Sequence, residues 1–183
     1  RAEVDKGTFS IEPFIFVDDR LITWADVSLK QDLRDGYLPI PSSQWQAEEM
    51  ILTTTAYATG ISGQSTLFIR YRLENTSSES KQVRLFAALR PLQVTPTWQN
   101  WHAFGGVSRI TQLEDRDDGV WVNGDKQIIS LTSPWRFGAA SFVQGPITEF
   151  LKTGDLPGQT GVADDFGYAS GALGYDLELT PGA

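Results

Sequence analysis

The chain has 183 residues and a formal net charge of −8, is 40% hydrophobic and 11% aromatic, and contains no cysteine. That much apolar side chain supports a buried core and excludes global disorder, while the acidic balance excludes nucleic acid and anionic membrane surfaces, which need a basic footprint. Absence of cysteine removes disulfides, thiolate metal sites and cysteine nucleophiles, and no apolar run approaches the roughly 20 residues that span a bilayer.

Alternation with period two runs through most of the chain, the signature of half-buried strands. Phe9, Ile11, Phe14 and Phe16 outline a first strand, with Pro13 at an edge or bulge, and Asp18-Asp19 signals a turn. Leu21, Thr23, Ala25, Val27 and Leu29 then fall on one side of a second strand. Residues 32–44 hold two prolines and read as a loop, after which Trp45 opens the next strand. The β-branched run Thr53-Thr54-Thr55 favours a strand over 46–59, and Gly60, Ser62 and Gly63 make a turn. In residues 65–75, Leu67, Ile69, Tyr71 and Leu73 face inward and Arg70, Arg72 and Glu74 face water. A polar connection over 75–80 leads into 83–89, and the two strands are expected to pair as a hairpin.

The strand that follows runs into a loop bounded by Pro91 and Gly105-Gly106 and carrying Trp98, Gln99, Trp101, His102 and Phe104. Such a loop covers a hydrophobic face, docks on another domain or stacks against a flat ligand such as a sugar ring, and two tryptophans with the only histidine together predict a contact surface. Beyond it, Asp117-Asp118-Gly119 joins strands at 110–113 and 120–122, and Asn123-Gly124 supplies the positive φ angles of a second tight turn. Strands are predicted over 135–143 and 172–179. Pro146, the apolar pair Phe150-Leu151 and Gly154 place one short helix near 146–153. About ten to twelve strands with one helix make an antiparallel β-sandwich, with Trp45, Trp121 and Trp135 expected mainly in its core or between its sheets.

Few chemistries fit these residues. The run Glu114–Gly119 resembles a calcium loop in composition only. It lacks the alternate-position ligands and closing glutamate and reads as a solvated turn, so neither a metal nor a cofactor is expected. Asp164-Asp165 stands beside Phe166 and Tyr168 in a Gly/Ser-rich loop, where carboxylates can accept hydrogen bonds from sugar hydroxyls. Glycoside hydrolysis needs two carboxyl groups about 5–10 Å apart. Asp18, Asp19, Glu48, Glu49, Asp164 and Asp165 are available, but their spacing pairs none of them. No nucleophile elbow or phosphate loop occurs. Asn75-Thr76-Ser77 fits the N-glycosylation triplet, a pattern that arises readily by chance in polar turns.

The segments ALRPLQVTPTWQ, GGVSRI, VWVNG, FGAASFVQG with its following LKTGDLP, and DDFGYASGALGYDLEL together resemble a bacterial β-sandwich module. Modules of this supersandwich-like kind accompany (α/α)6-barrel catalytic domains in glycoside-hydrolase and glycogen-debranching-type proteins, some of the factor 5/8 type C-like group. The resemblance spans residues 45–181. It implies a noncatalytic sandwich packed against a barrel domain of the same chain, with the catalytic acids on the barrel, so no catalytic residue is carried over. A chain beginning at Arg1 and ending at TPGA is accordingly expected to be one β-sandwich domain, 1–183, cut from a longer multidomain protein. Trp98, Gln99, Trp101, His102, Asp164 and Asp165 are the expected carbohydrate contacts, and the partner a polysaccharide or oligosaccharide. Two other classes remain open: a freestanding glycan-binding module, and a sandwich-fold sugar-processing enzyme using paired carboxylates.

Overall fold

The computed structural model describes residues 1–5, 7–61, 63–93 and 106–182. Among them are the strands β1 (Ala2–Glu3), β2 (Ser10–Val17), β3 (Arg20–Ile22), β4 (Ser28–Leu33), β5 (Pro41–Gln46), β6 (Met50–Ile61) and β7 (Gln64–Asn75). After these come β8 (Lys81–Arg90), β9 (Gln112–Arg116), β10 (Gly119–Val122), β11 (Lys126–Ile128), β12 (Arg136–Ala140), β13 (Gly161–Ala163) and β14 (Ser170–Leu179), with one short helix, α1 (Ile147–Leu151). The fold is all-β, with antiparallel strand pairs in open sheets, as the alternation predicts. The chain divides into two compact units, one of Arg1–Leu21 and Val83–Leu177, the other of Ile22–Gln82 and Glu178–Ala183.

The first unit is built on a sheet of order β1-β2-β8-β14-β12, with β3 pairing β2, and a second sheet of order β11-β10-β9-β13. In β2 and β8 the register sets Phe14 opposite Phe86 and Glu12 opposite Ala88. Phe14, Phe86 and Ala88 therefore share a face, and on it they form a buried cluster with Ile147 and Leu151 of α1, Leu156, and Ala172 of β14. The alternate residues Ile15, Leu85, Ala87 and Leu89 are buried too. A strand covered on both faces reads as a nearly continuous apolar run, and VRLFAAL is one. Pro13 lies within β2 opposite Ala87, beyond the two residues that pair with β1, at a place where a missing N–H is tolerated.

Turn chemistry matches the residues supplied. Asp18 and Asp19 both take positive φ, 51° and 57°, in the tight connection from β2 to β3, and Asn123 and Gly124 do so after β10, at 53° and 73°. The helix begins after Pro146 as predicted, and Gly154 follows it with φ of 70°. Gly154 is also fixed by packing: an added Cβ would lie 2.5 Å from the ring of Phe16.

In the second unit the sheet order is β4-β5-β6-β7. Leu29, Trp45, Leu52 and Leu73 line up across the four strands on one face, and Asp32, Ser42, Thr55 and Arg70 line up on the other. Trp45, Met50 and Leu52 are buried. Buried Asn75 closes the end of β7: its Nδ2 donates to the carbonyls of Glu79 (2.7 Å) and Leu179 (3.1 Å), and its Oδ1 accepts from Ser77 N (3.0 Å) and Ser77 Oγ (2.7 Å). The glycosylation-like triplet is thus a structural turn whose asparagine is spoken for.

Several expectations are corrected. Residues 65–75 and 82–90 do not form a hairpin, because β7 pairs β6 while β8 lies between β2 and β14. Alternation fixes which face a strand buries and leaves its neighbour open. The strand expected over 21–29 is interrupted by a 3-10 turn, Trp24–Asp26, held by a capping box in which Thr23 Oγ1 accepts from Ala25 N and Asp26 accepts from Thr23 N. The loop expected over 32–44 is shorter, since β4 and β5 take up both of its ends. Of the three tryptophans expected in the core or between the sheets only Trp45 is buried. Trp121 is half-buried, donating to Asp118 at 2.9 Å under the Arg116 guanidinium, and Trp135 is 38% exposed beneath Arg136, 4.6 Å from its ring centre. Long cationic side chains shield these rings where apolar neighbours were expected.

Gly154→Ala should destabilise the protein by roughly 1–3 kcal/mol, the cost of forcing a methyl group into a filled core. Urea unfolding of the variant measures this, and an unchanged midpoint would show that Phe16 does not pack on this glycine.

Candidate functional site

The best-organised surface feature centres on Asp164, which directly follows β13. Its side chain is buried, although it belongs to a surface loop. Oδ2 accepts from the backbone N–H of Phe142 (3.1 Å) and of Tyr168 (3.0 Å), and Oδ1 accepts from that of Phe166 (3.2 Å). One carboxylate therefore fixes the main chain of three aromatic residues from two separate segments. The three rings are turned outward: Phe142 is 55% exposed, Phe166 57% and Tyr168 41%. Phe142 touches both of the others, with centroids 5.3 Å apart for Phe142 and Phe166 and 5.5 Å apart for Phe142 and Tyr168. These separations lie in the attractive range for tilted rings.

Local sequence explains the arrangement. Phe142 starts a 3-10 turn, Phe142–Gln144, where Gln144 Oε1 accepts from Ser141 N at 2.9 Å and Gly145 ends the turn at φ of 99°. Across the cluster, Gly167 takes φ of 76°, and its backbone is so close to Arg109 that an added Cβ would lie 2.8 Å from that side chain. Gly167 N donates to Asp164 O (3.0 Å), Ile110 N to Gly167 O (2.9 Å) and Ala169 N to Ile110 O (3.1 Å), which ties the loop to residues 109–111. That segment is gripped from its other side by Asn123, whose Oδ1 accepts from Thr111 N (2.8 Å) and Gln112 N (3.2 Å) while Nδ2 donates to Arg109 O (3.0 Å).

Of the sequence-predicted contacts, Asp164 serves as the organiser just described, and Asp165 is exposed beside it. Trp98, Gln99, Trp101 and His102 lie outside the described residues. Leu92 and Val107 form a bridge, Gln93 N donates to Gly106 O (2.9 Å), and Ser108 leads directly into the Arg109–Ile110 pairing. Phe142 is the residue that sequence reasoning missed, because 135–143 reads as one strand. The available signal was Ser141 and Gln144 at capping-box spacing, followed by Gly145.

Within the acidic run Glu114 and Asp118 are engaged internally, Asp118 by Trp121. Glu114 pairs with Arg116, and hydrogen bonds from Arg116 and then Gln112 hold its carboxyl below the usual range. Glu49 pairs with Lys81 at 2.9 Å, and Asp18-Asp19 forms a turn. Among the described residues no cluster of three metal-ligating side chains occurs, and no helix is long and apolar enough to cross a membrane. No protein-family model matches the chain, and no curated protein matches it.

Asp164→Ala leaves three backbone donors without their acceptor and should cost roughly 1–3 kcal/mol for each one that stays buried. Asp164→Asn, which keeps one acceptor oxygen, should fall between the wild type and Ala. Thermal melts and near-UV circular dichroism of the two variants check this order, and equal effects would deny the carboxylate its threefold role.

Proposed function

We propose that this chain is a noncatalytic β-sandwich module of a carbohydrate-active enzyme, one that presents a pre-ordered aromatic cluster to a sugar chain and packs against a catalytic barrel. The observation that carries the reading is the cluster of Phe142, Phe166 and Tyr168, exposed yet fixed at each main-chain N–H by Asp164. An apolar ring kept in water forgoes roughly 1.5–3 kcal/mol of burial free energy. A loop that spends a buried carboxylate on holding three such rings outward is suited to binding. Sugar rings offer C–H faces to aromatic rings and hydroxyl groups to neighbouring acids. Asp165 and the Tyr168 hydroxyl are the adjacent polar groups, and Trp98, Gln99, Trp101 and His102 remain the proposed contacts of the neighbouring loop.

Packing on a further domain is supported by the second unit. On the apolar face of its sheet, Leu29 is 58% and Leu33 42% exposed on the edge strand β4, and Leu67 and Ile69 are only half-buried on the opposite edge strand β7. Large apolar side chains left exposed on a sheet face are suited to covering by a partner.

Affinity electrophoresis of the chain against a panel of neutral soluble polysaccharides tests the sugar contact. Phe142→Ala and Phe166→Ala should each weaken retention about tenfold, or 1.4 kcal/mol, and leave the melting temperature nearly unchanged. Retention of no polysaccharide, or retention unaltered by both substitutions, would refute the assignment.

A further inference from the structure

The polar face of the four-stranded sheet carries a second arrangement, separate from the aromatic cluster and in the other unit. Asp32, Ser42, Thr55 and Arg70 stand in register on β4, β5, β6 and β7, one side chain per strand. With strands about 4.8 Å apart, the row extends roughly 14 Å across the sheet. A depression of about 420 Å³ follows it, with Arg34 and Asp35 from the connection between β4 and β5 on its wall. That connection is fixed by its own backbone bonds, Arg34 N to Ile40 O (3.1 Å) and Leu38 N to Arg34 O (2.9 Å), and Asp35 sits at φ of 55°.

The charge of the face contrasts with that of the whole molecule. The chain carries −8, whereas in this region the cations Lys30, Arg34, Arg70 and Arg72 outnumber the anions Asp32, Asp35 and Glu74. Arg72 is paired with Glu74 at 3.2 Å. Among the described residues, Lys30, Arg34 and Arg70 enter no ion pair. One register step beyond Thr55 and Arg70 on the same face, Tyr57 and Phe68 stack with centroids 5.0 Å apart and an interplanar angle of 13°, both partly exposed.

We infer that this row is a binding site for an acidic oligosaccharide, a chain of uronic-acid type lying across the strands. A guanidinium offers a planar fork that matches a carboxylate bidentately, and Arg70 and Arg34 are unengaged and available for it. Asp32 and Asp35 are acceptors for hydroxyl donors, and Ser42 and Thr55 both donate and accept. An acidic peptide offers carboxylates to the arginines but brings no hydroxyl groups to the two aspartates, Ser42 and Thr55. A neutral sugar satisfies the aspartates and hydroxyls but leaves the arginines unused. A sugar acid meets both needs, and the Tyr57–Phe68 pair provides an apolar edge for a ring beside the row. The site goes beyond the aromatic-cluster reading and stands or falls separately from it.

Isothermal titration calorimetry of the 183-residue chain with an oligogalacturonate, its methyl ester and polyglutamate tests the inference. The oligogalacturonate should bind, and added salt should weaken it. Methyl esterification, Arg70→Gln and Arg34→Gln should each reduce affinity about tenfold or more, whereas Leu131→Ala, at an exposed residue outside both sites, should leave it unchanged. Both arginines are exposed, so the variants should fold, and their melting curves verify that. The site is overturned by absence of oligogalacturonate binding, by equal binding of the ester or of polyglutamate, or by arginine variants that bind as the wild type does. Loss of binding in Phe142→Ala would likewise overturn it, by moving the acid to the aromatic cluster.

Discussion

A carboxylate that answers three backbone N–H groups sets the geometry on which the candidate site depends. Buried donors without partners are costly, and an ionised acceptor is the strongest single group that can satisfy several at once. Asp164 does so for Phe142, Phe166 and Tyr168, joining the 3-10 turn after β12 to the loop between β13 and β14. Because the anchoring is to main chain, the side chains above it are free to face solvent without loosening the loop. Gly167 and Asn123 complete the frame, one by letting Arg109 approach and the other by holding residues 109–112 from behind.

The two units solve burial differently, and the difference bears on function. In the first, β8 is covered on both faces and α1 seals one of them through Ile147 and Leu151. Arg84 reinforces that seal by donating to Gly154 O at 2.6 Å and to Asp176 at 2.8 Å. In the second, a four-stranded sheet has an apolar face with exposed leucines and a polar face on which Arg70 enters no ion pair among the described residues. Such a sheet has surface to spare for partners, whereas the first unit confines its exposed apolar groups largely to loops such as that of Phe142 and Phe166.

Much of the fold was legible because its signals are local. Alternation gave strands, Asp18-Asp19 and Asn123-Gly124 gave turns, and Pro146 with Gly154 gave the helix. Pairing was less legible. The connection over 75–80 is short enough for a hairpin, yet the doubly apolar 83–89 run demanded a central position that one-sided β7 could not provide. Trp135 misled because an aromatic at the start of a strand looks like core, whereas a neighbouring guanidinium can cover it instead. For the site, Asp164 was visible as an acid among aromatics, but its role was not. Reach from residue 164 to the N–H of residue 142 is a tertiary fact that spacing does not contain. The ladder of Asp32, Ser42, Thr55 and Arg70 escaped for the same reason, since it exists only once the register is known.

Amide hydrogen exchange followed by NMR tests the central claim most directly, by comparing the wild type with Asp164→Ala. If one carboxylate holds the cluster, the Phe142, Phe166 and Tyr168 amides exchange slowly in the wild type despite their exposed side chains, and all three accelerate together in the variant. Fast exchange at these amides in the wild type, or acceleration at only one of them in the variant, would contradict it.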